Sequence, residues 1–167
     1  EAGIKPDLIV GSSVGSLIGA FYAAGYSAEE MDRISMSGGP LTIFDINPFA
    51  DRGWIIGQKL QNYVNNNLAS QKFEDLKVPL LIVATRRADK TPMYFTTGNI
   101  GVAVRASSAM PGIISPVGIQ GVEYEDGDES YPLPVSAALA AGAEFVIAID
   151  VSARPGSTPE SASQALR

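Results

Sequence analysis

The stretch that decides the fold runs from residue 7 to residue 20 and reads DLIVGSSVGSLIGA. Its first apolar run, Leu8-Ile9-Val10, is partly β-branched and stands between Pro6 and Gly11, which is typical of a short buried strand. From Gly15 to Ala24 the chain is rich in Leu, Ile, Phe and Ala, and Gly25 follows, so we predict a helix with a glycine cap. A strand therefore passes directly into a helix through a few residues of glycine, serine and valine.

Those residues, Gly11-Ser12-Ser13-Val14-Gly15, match the pattern G-x-S-x-G in the context that a nucleophile elbow requires. Gly11 and Gly15 allow a tight turn and a close approach of the helix to the strand. The hydroxyl of Ser13 would then lie at the helix N-terminus, where the N–H of Val14 and the helix dipole can stabilise a developing oxyanion. The alternative is an ordinary strand-to-helix turn, because glycine and serine are common in such turns.

Further along the chain, predicted strands alternate with predicted helices. Apolar runs bounded by turn residues predict strands at 79–85, 93–96, 122–125 and 145–150. Apolar periodicity and capping residues predict helices at 57–68, 99–110 and 134–141, and one that begins at Ala28 after the capping box Ser27–Glu30. Residues 37–56 are predicted to form a loop or mobile flap. Because the strands are apolar throughout rather than alternating, we predict an α/β three-layer sandwich with a mainly parallel central sheet.

The amino-acid composition limits which partners, metal sites and catalytic groups this chain can have. The 167 residues suffice for one domain, and a formal net charge of -6 without a Lys/Arg cluster argues against nucleic acid as a partner. The absence of cysteine excludes disulfides and thiolate metal sites, and the absence of histidine removes the commonest zinc ligand, so we expect no metal and no cofactor. Any general base must be Asp, Glu, Lys or Tyr. No apolar run approaches the roughly 20 residues of a membrane span.

A second informative site is Glu125-Asp126-Gly127-Asp128, at the end of a predicted strand. In an open parallel sheet the carboxyl ends of the strands and the N-termini of the following helices line one edge. Asp126 could therefore meet Ser13 at that edge, although the two residues lie far apart in sequence. The alternative is a plain turn, since Asp-Gly is among the commonest turn dipeptides.

Four stretches of the chain resemble the bacterial patatin-like phospholipases, in the same order and over nearly the whole length. They are residues 4–20 around Ser13, 73–80 (FEDLKVPL), 103–112 (AVRASSAMPG), and a C-terminal set at 126–127, 134–135, 141–143 and 146–152. The resemblance implies a lipid acyl hydrolase with a Ser–Asp dyad that needs no histidine, the Asp standing in a D-G-[GA] motif. It assigns these roles to Ser13 and Asp126, with Gly127 as the supporting motif glycine.

Two features depart from that family. Asp128 stands where Gly or Ala usually follows Asp-Gly, and an extra carboxylate there can raise the pKa of Asp126 by repulsion. The family's G-G-x-R-G oxyanion loop and first strand are expected upstream of Glu1. We therefore expect residues 1–153 to be a catalytic core without those two parts, with an exposed sheet edge through which copies could associate. Residues 154–167, rich in Pro, Ser and Gln, are expected to be a disordered tail.

The leading expectation is hydrolysis of a lipid ester through a Ser13 acyl-enzyme with Asp126 as base, in the cytoplasm or in peripheral contact with a membrane. One alternative is an α/β-hydrolase whose histidine lies outside these residues. Another is a non-catalytic lipid-binding domain or pseudoenzyme. Arg105 and the pair Ser107-Ser108 could contact substrate, but we expect Arg105 to be structural and the two serines to cap or pack the turn at Pro111-Gly112. Ile113-Ile114 and the 37–56 segment could form an acyl groove, but we expect the two isoleucines to be buried in the core.

Overall fold

The computed structural model of the chain describes residues 3–37, 43–47, 49 and 52–151. Within these ranges the strands are β1 (Ile9–Ser12), β2 (Gly53–Ile55), β3 (Leu80–Arg86), β4 (Thr91–Phe95), β5 (Gly112–Ile114), β6 (Val117–Ile119) and β7 (Val122–Glu125). The helices are α1 (Val14–Ala24), α2 (Ala28–Ser37), α3 (Gln58–Asn67), α4 (Ile100–Ser107) and α5 (Val135–Ala140). The predicted tail and residues 38–42, 48, 50 and 51 of the predicted flap lie outside the described residues.

The main sheet has five strands in the order β1-β3-β7-β6, with β4 also paired to β3. β1 runs parallel to β3, whereas β4 and β7 run antiparallel to β3, and β6 runs antiparallel to β7. A separate small sheet is formed by the parallel strands β2 and β5. The α/β class is confirmed, and the sheet is mixed rather than purely parallel. β3–β4 and β6–β7 are joined by short turns, and strands so connected can pair only as antiparallel hairpins.

β1 and β7 lie end to end along the same side of β3. Ser12, the last residue of β1, pairs with Val83, and Glu125, the last residue of β7, pairs with Thr85 further along β3. β4 pairs with both Val83 and Thr85 and therefore occupies the opposite side of β3. Since β7 runs against the direction of β1, the residues that follow these two strands arrive at the same place.

β3 is the central strand, and its first six residues are buried. On one face of the sheet, α1, α3 and α4 pack a continuous apolar core, whose fully buried members include Ala20, Val64, Ile82, Ile100 and Val104. On the other face, the hydroxyl of Thr85 donates to the carbonyl of Asp126 over 2.7 Å, so the turn after β7 covers that side. Burial on both faces explains why this strand is apolar without alternation.

The prediction of a buried strand at 145–150 is wrong. The segment forms no strand, and the exposed fractions of Phe145, Ile147 and Ile149 are 82%, 55% and 77%. An apolar run becomes a strand only where a neighbouring strand supplies hydrogen-bond partners. In the part of the chain that the structure describes, β1 pairs with β3 alone, and no strand pairs with this run. Conversely, β2, β5 and β6 were not predicted, because three residues are too few to show a period.

Candidate active site

The turn between β1 and α1 holds Ser13 in a strained backbone conformation. Its φ is 48° and its ψ is -123°, a combination that non-glycine residues rarely adopt. The residue stands immediately before α1, and its carbonyl accepts hydrogen bonds from the backbone N–H (2.9 Å) and the hydroxyl (2.6 Å) of Ser16. This is the sharp strand-to-helix turn that presents a serine hydroxyl at the end of a strand.

Glycines around this turn have different roles. A Cβ at Gly11 would lie 2.5 Å from the carbonyl oxygen of Gly15, so only glycine fits at position 11. A Cβ at Gly15 would meet no atom within 4 Å. The expectation that both motif glycines make room for the helix therefore holds for Gly11 alone. The close approach of α1 to the sheet occurs instead at Gly19, where a Cβ would lie 3.0 Å from the Cγ2 of Ile9.

The end-to-end arrangement of β1 and β7 brings Ser13 and Asp126 together. The Oγ of Ser13 donates to the Oδ2 of Asp126 over 2.8 Å, although 113 residues separate the two in sequence. The other carboxylate oxygen, Oδ1, accepts the backbone N–H of Asp128 at 3.0 Å. The predicted meeting of the two side chains is thus present, but its cause differs from the predicted one. Asp126 follows an antiparallel strand that meets β1 head-on, and not a parallel neighbour.

Gly127 lets the turn after β7 lie against the sheet. A Cβ at this position would stand 2.4 Å from the Oγ of Ser12 and 2.4 Å from the carbonyl oxygen of Val83. Any side chain would push the turn away from both strands. The glycine of the Asp-Gly pair therefore keeps the preceding carboxylate close to the elbow.

The carboxyl group of Asp126 is almost fully buried, with 4% of the residue exposed. Burial is the main cause that raises its pKa from 3.8 to about 6, and the negative charges of Asp128 and Glu129 also raise it. The hydrogen bonds from the Asp128 N–H and from the Ser13 hydroxyl lower the pKa and so reduce the shift. The group is therefore mainly ionised at neutral pH, yet it is a stronger base than an ordinary aspartate. A carboxylate in this state can accept the proton of the serine hydroxyl.

The C-terminal end of α4 holds the backbone of both residues. The N–H of Ser13 donates to the Oγ of Ser107 over 2.9 Å, and that hydroxyl in turn donates to the carbonyl of Val83. Two residues later, the carbonyl of Ala109 accepts the N–H of Asp126 at 3.0 Å. Sequence reasoning noticed Ser107 but interpreted it as a capping or packing residue. The sequence signal that could have identified it is a serine near the end of a predicted helix, within the stretch 103–112 that resembles the patatin-like phospholipases.

A second serine–aspartate contact lies beside the first. The Oγ of Ser12 donates to the Oδ1 of Asp128 over 2.6 Å. Ser12 is buried and Asp128 is exposed, so the contact lies where the turn after β7 emerges at the surface. Sequence reasoning identified the unusual Asp128 but not its partner, since nothing in the local pattern of β1 indicates a contact across the sheet.

Arg105 and the two isoleucines are placed as follows. The guanidinium of Arg105 donates to the carbonyl of Ile56 and to the side chains of Gln58 and Gln61, which ties α4 to α3 and agrees with the predicted structural role. Ile114 is buried, as predicted for both isoleucines. Ile113 is 47% exposed, so the prediction of a core position is wrong there, because alternate residues of β5 face opposite sides.

The surface next to the elbow is apolar. Val14 and Ile18, one turn apart on α1, are 53% and 51% exposed.

Across the described ranges, none of the helices has both the length and the apolar character needed to cross a membrane. Nor do three or more His, Cys, Asp or Glu side chains converge there in a way that could hold a metal ion.

The fold and the site define a class: an α/β protein in which a serine on a strained strand-to-helix turn is hydrogen-bonded to a buried aspartate. The family model described as Patatin-like phospholipase matches residues 1–139. The chain therefore belongs to the patatin-like phospholipase family, as the four sequence stretches predicted.

Curated relatives agree with this membership. The chain is 28% identical to Lysophospholipase NTE1 of Scheffersomyces stipitis over 163 residues, which cover 94% of this chain and 10% of the relative. It is 29% identical over 148 residues to an NTE family protein of Mycobacterium bovis, covering 86% and 40% of the two sequences. It is 29% identical over 158 residues to mouse Patatin-like phospholipase domain-containing protein 6, covering 90% and 12%. The chain thus spans between 10% and 40% of the length of these relatives.

Proposed function

We propose that this chain carries the catalytic dyad of a lipid acyl hydrolase, with Ser13 as nucleophile and Asp126 as general base. The observation that carries the proposal is the 2.8 Å hydrogen bond from the Ser13 hydroxyl to a buried carboxylate with a raised pKa. The strained backbone of Ser13 supports it, because such strain is concentrated at functional sites. Membership of the patatin-like phospholipase family supports the reaction class.

In the acylation step, the Oγ of Ser13 attacks the ester carbonyl carbon while Asp126 takes the hydroxyl proton. The tetrahedral intermediate collapses, the carbon–oxygen bond of the leaving group breaks, and Asp126 returns the proton to the departing alkoxide. An alcohol leaves, and the acyl group remains on Ser13.

In the deacylation step, Asp126 removes a proton from a water molecule, and the resulting hydroxide attacks the acyl carbon. The bond to Ser13 breaks, the proton passes to its Oγ, and a free carboxylic acid leaves. One ester and one water give one alcohol and one acid. The same carboxylate serves both halves, which is why the chemistry does not require a histidine.

The developing negative charge on the carbonyl oxygen needs hydrogen-bond donors. The N–H groups of Val14 and Gly15, at the start of α1, have no acceptor within the helix and lie at the positive end of its dipole. The N–H of Ser13 itself is bonded to Ser107, and that of Ser16 is bonded to the carbonyl of Ser13. Val14 and Gly15 are therefore the donors that the start of α1 offers.

The relatives named lysophospholipases indicate the substrate to try first, a phospholipid with a single acyl chain. A single chain leaves the ester more accessible than it is in a two-chain lipid packed in a bilayer. The exposed apolar pair on α1 next to the elbow is suited to contact an acyl chain.

The test uses a fluorophosphonate on the full-length protein, followed by intact mass and peptide mapping. We expect one adduct on Ser13, none in Ser13→Ala, and labelling that slows as the pH falls below about 6 because Asp126 becomes protonated. Fatty acid release from a lysophospholipid should fall at least about a hundredfold in Asp126→Asn. A folded protein that is neither labelled nor active would instead indicate the non-catalytic lipid-binding alternative.

A further inference from the structure

The two serine–aspartate contacts are joined through one residue. Asp128 accepts the Ser12 hydroxyl with its side chain at 2.6 Å and donates its backbone N–H to the Oδ1 of Asp126 at 3.0 Å. The Oδ2 of Asp126 then faces the hydroxyl of Ser13 at 2.8 Å. A closed path therefore runs from one serine through the turn after β7 to the adjacent serine.

We propose that Asp128 is a positioning residue: its hydrogen bond with Ser12 fastens the turn after β7 to the end of β1 and so fixes Asp126 against Ser13. This inference rests on the proposed function, since it concerns the geometry of the same dyad. Its basis is the arrangement of contacts. Ser12 is buried in a strand that is itself fixed by pairing with Val83, so it offers the turn a rigid anchor.

The Ser12 contact adds to two ties that hold the backbone of Asp126, namely the carbonyl of Ala109, which accepts its N–H, and the hydroxyl of Thr85, which donates to its carbonyl. It acts on the side chain of Asp128, just beyond Gly127, which lies in close contact with Ser12 and Val83. The next residues, Asp128 and Glu129, are exposed. A hydrogen bond from a hydroxyl to an ionised carboxylate is among the stronger polar contacts available to such a turn.

Asp128 also places a negative charge near Asp126, and the effect of this charge can be separated from the effect of the hydrogen bond with Ser12. The charges that act on Asp126 are those of Asp128 and Glu129, both from its own turn. The facing elements supply hydroxyl groups, from Ser13 at the elbow and Thr85 on β3. The nearby cations Arg87 and Lys90 are bonded to Glu123 and Glu125.

Four variants of the full-length protein separate anchoring from charge. Asp128→Ala removes the hydrogen bond with Ser12 and the negative charge, but keeps the backbone N–H that donates to Asp126. Asp128→Asn keeps an oxygen acceptor for Ser12 and removes the charge. Ser12→Ala removes the anchor and keeps the charge. Glu129→Gln is the matched control, because it removes a nearby charge that has no part in the anchor.

We expect Asp128→Ala and Ser12→Ala each to lower kcat about tenfold with KM little changed, since a small misplacement of a catalytic group is costly. The double variant should lose no more than either single variant. Asp128→Asn should keep kcat at pH 8 within about twofold, and the acid limb of its pH profile should move to lower pH, as in Glu129→Gln. Additive losses in the double variant, or a wild-type kcat in Asp128→Ala, would overturn the proposal.

The melting temperature provides a readout that does not depend on catalysis. Ser12→Ala and Asp128→Ala should each lower Tm, and the double variant should lower it by less than the sum, because the two residues make one contact. If the wild-type protein shows no hydrolysis, the proposed function fails, yet this coupling still tests the anchor. Additive Tm losses would show that the contact does not hold the turn.

Discussion

The backbone N–H of Ser13 is bonded to the hydroxyl of Ser107 over 2.9 Å, so the strained elbow is held from outside by the end of α4. The same helix end accepts the N–H of Asp126 through Ala109. Both residues of the proposed dyad therefore depend on one structural element that belongs to neither β1 nor β7. The relative position of the two side chains is set by this shared support as much as by their own hydrogen bond.

Ser107→Ala should damage both stability and catalysis. It leaves the N–H of Ser13 and the carbonyl of Val83 without their partner in a buried place, which costs about 1–3 kcal/mol for each unsatisfied group. We expect a Tm lower by several degrees and a clear loss of kcat, measured by thermal melts and fatty acid release. Ser108→Ala, at the adjacent residue outside these two contacts, is the matched control. Equal effects of the two substitutions would contradict the assigned role of Ser107.

Asp126→Asn should stabilise the protein in a pH-dependent manner. Burial raises the pKa of this carboxyl from 3.8 to about 6, so the folded state binds the proton more tightly than the unfolded chain does. The stability contributed by that proton is fully present below about pH 4 and is lost as the pH rises through about 6. Asparagine is neutral throughout. The free energy of unfolding should therefore rise by on the order of 2 kcal/mol at pH 7.5 and change little near pH 4.

Urea denaturation at the two pH values measures this difference. Asp32→Asn is a suitable control, since Asp32 is an exposed carboxylate on α2 and is not among the charges that act on Asp126. A shift of equal size at both pH values would mean that the gain does not come from the charge of Asp126.

Ser13→Gly should be more stable than Ser13→Ala, although both lose the proposed nucleophile. With φ at 48° and ψ at -123°, the serine backbone is in a region that costs about 1–3 kcal/mol for residues with a Cβ. Glycine relieves this strain, offset in part by its greater freedom in the unfolded chain. Thermal melts of the two inactive variants should place Ser13→Gly a few degrees higher. A lower Tm for the glycine variant would argue that the elbow is not strained.

Gly127→Ala should disturb the fold locally, whereas Gly15→Ala should not. The added methyl group would lie 2.4 Å from Ser12 and from Val83 at the first position and would meet no atom within 4 Å at the second. We expect a loss of several degrees in Tm for Gly127→Ala and no loss for Gly15→Ala, where alanine also favours the helix. Comparable Tm values for the two variants would show that the turn after β7 can move away from β1 without cost.

The elbow could be predicted from sequence because its signals are local. An apolar run, a glycine–serine pattern and a capped helix follow one another within residues 7–25, and each is decided by near neighbours. The capping box at the start of α2 is likewise present, with Ser27 and Glu30 bonded to each other's backbone N–H groups. Structural features that depend only on residues close together in the chain can be predicted from the local sequence pattern.

Contacts across the sheet could not be predicted in the same way. The sequence indicated that Asp126 and Ser13 would meet, and we expected them to follow parallel strands of the sheet. In the structure they follow β7 and β1, which run in opposite directions and meet end to end beside β3. The hydroxyl of Ser107 reaches Ser13 only because α4 packs against β3, which no local pattern indicates. The run at 145–150 has the composition of a strand but forms none, because composition alone does not determine whether a segment joins a sheet.

The open space beside Gly15 has a consequence for the shape of molecules that could react at the elbow. A Cβ at Gly15 would meet no atom within 4 Å, and the neighbouring Val14 and Ile18 are both half exposed and on the same side of α1. If Ser13 is the nucleophile, we expect a covalent inhibitor on it to place an unbranched hydrocarbon arm over this open apolar surface more easily than a bulky branch beside the buried turn. Selectivity among serine-reactive compounds should therefore follow the length and slenderness of that arm more than the identity of the reactive group.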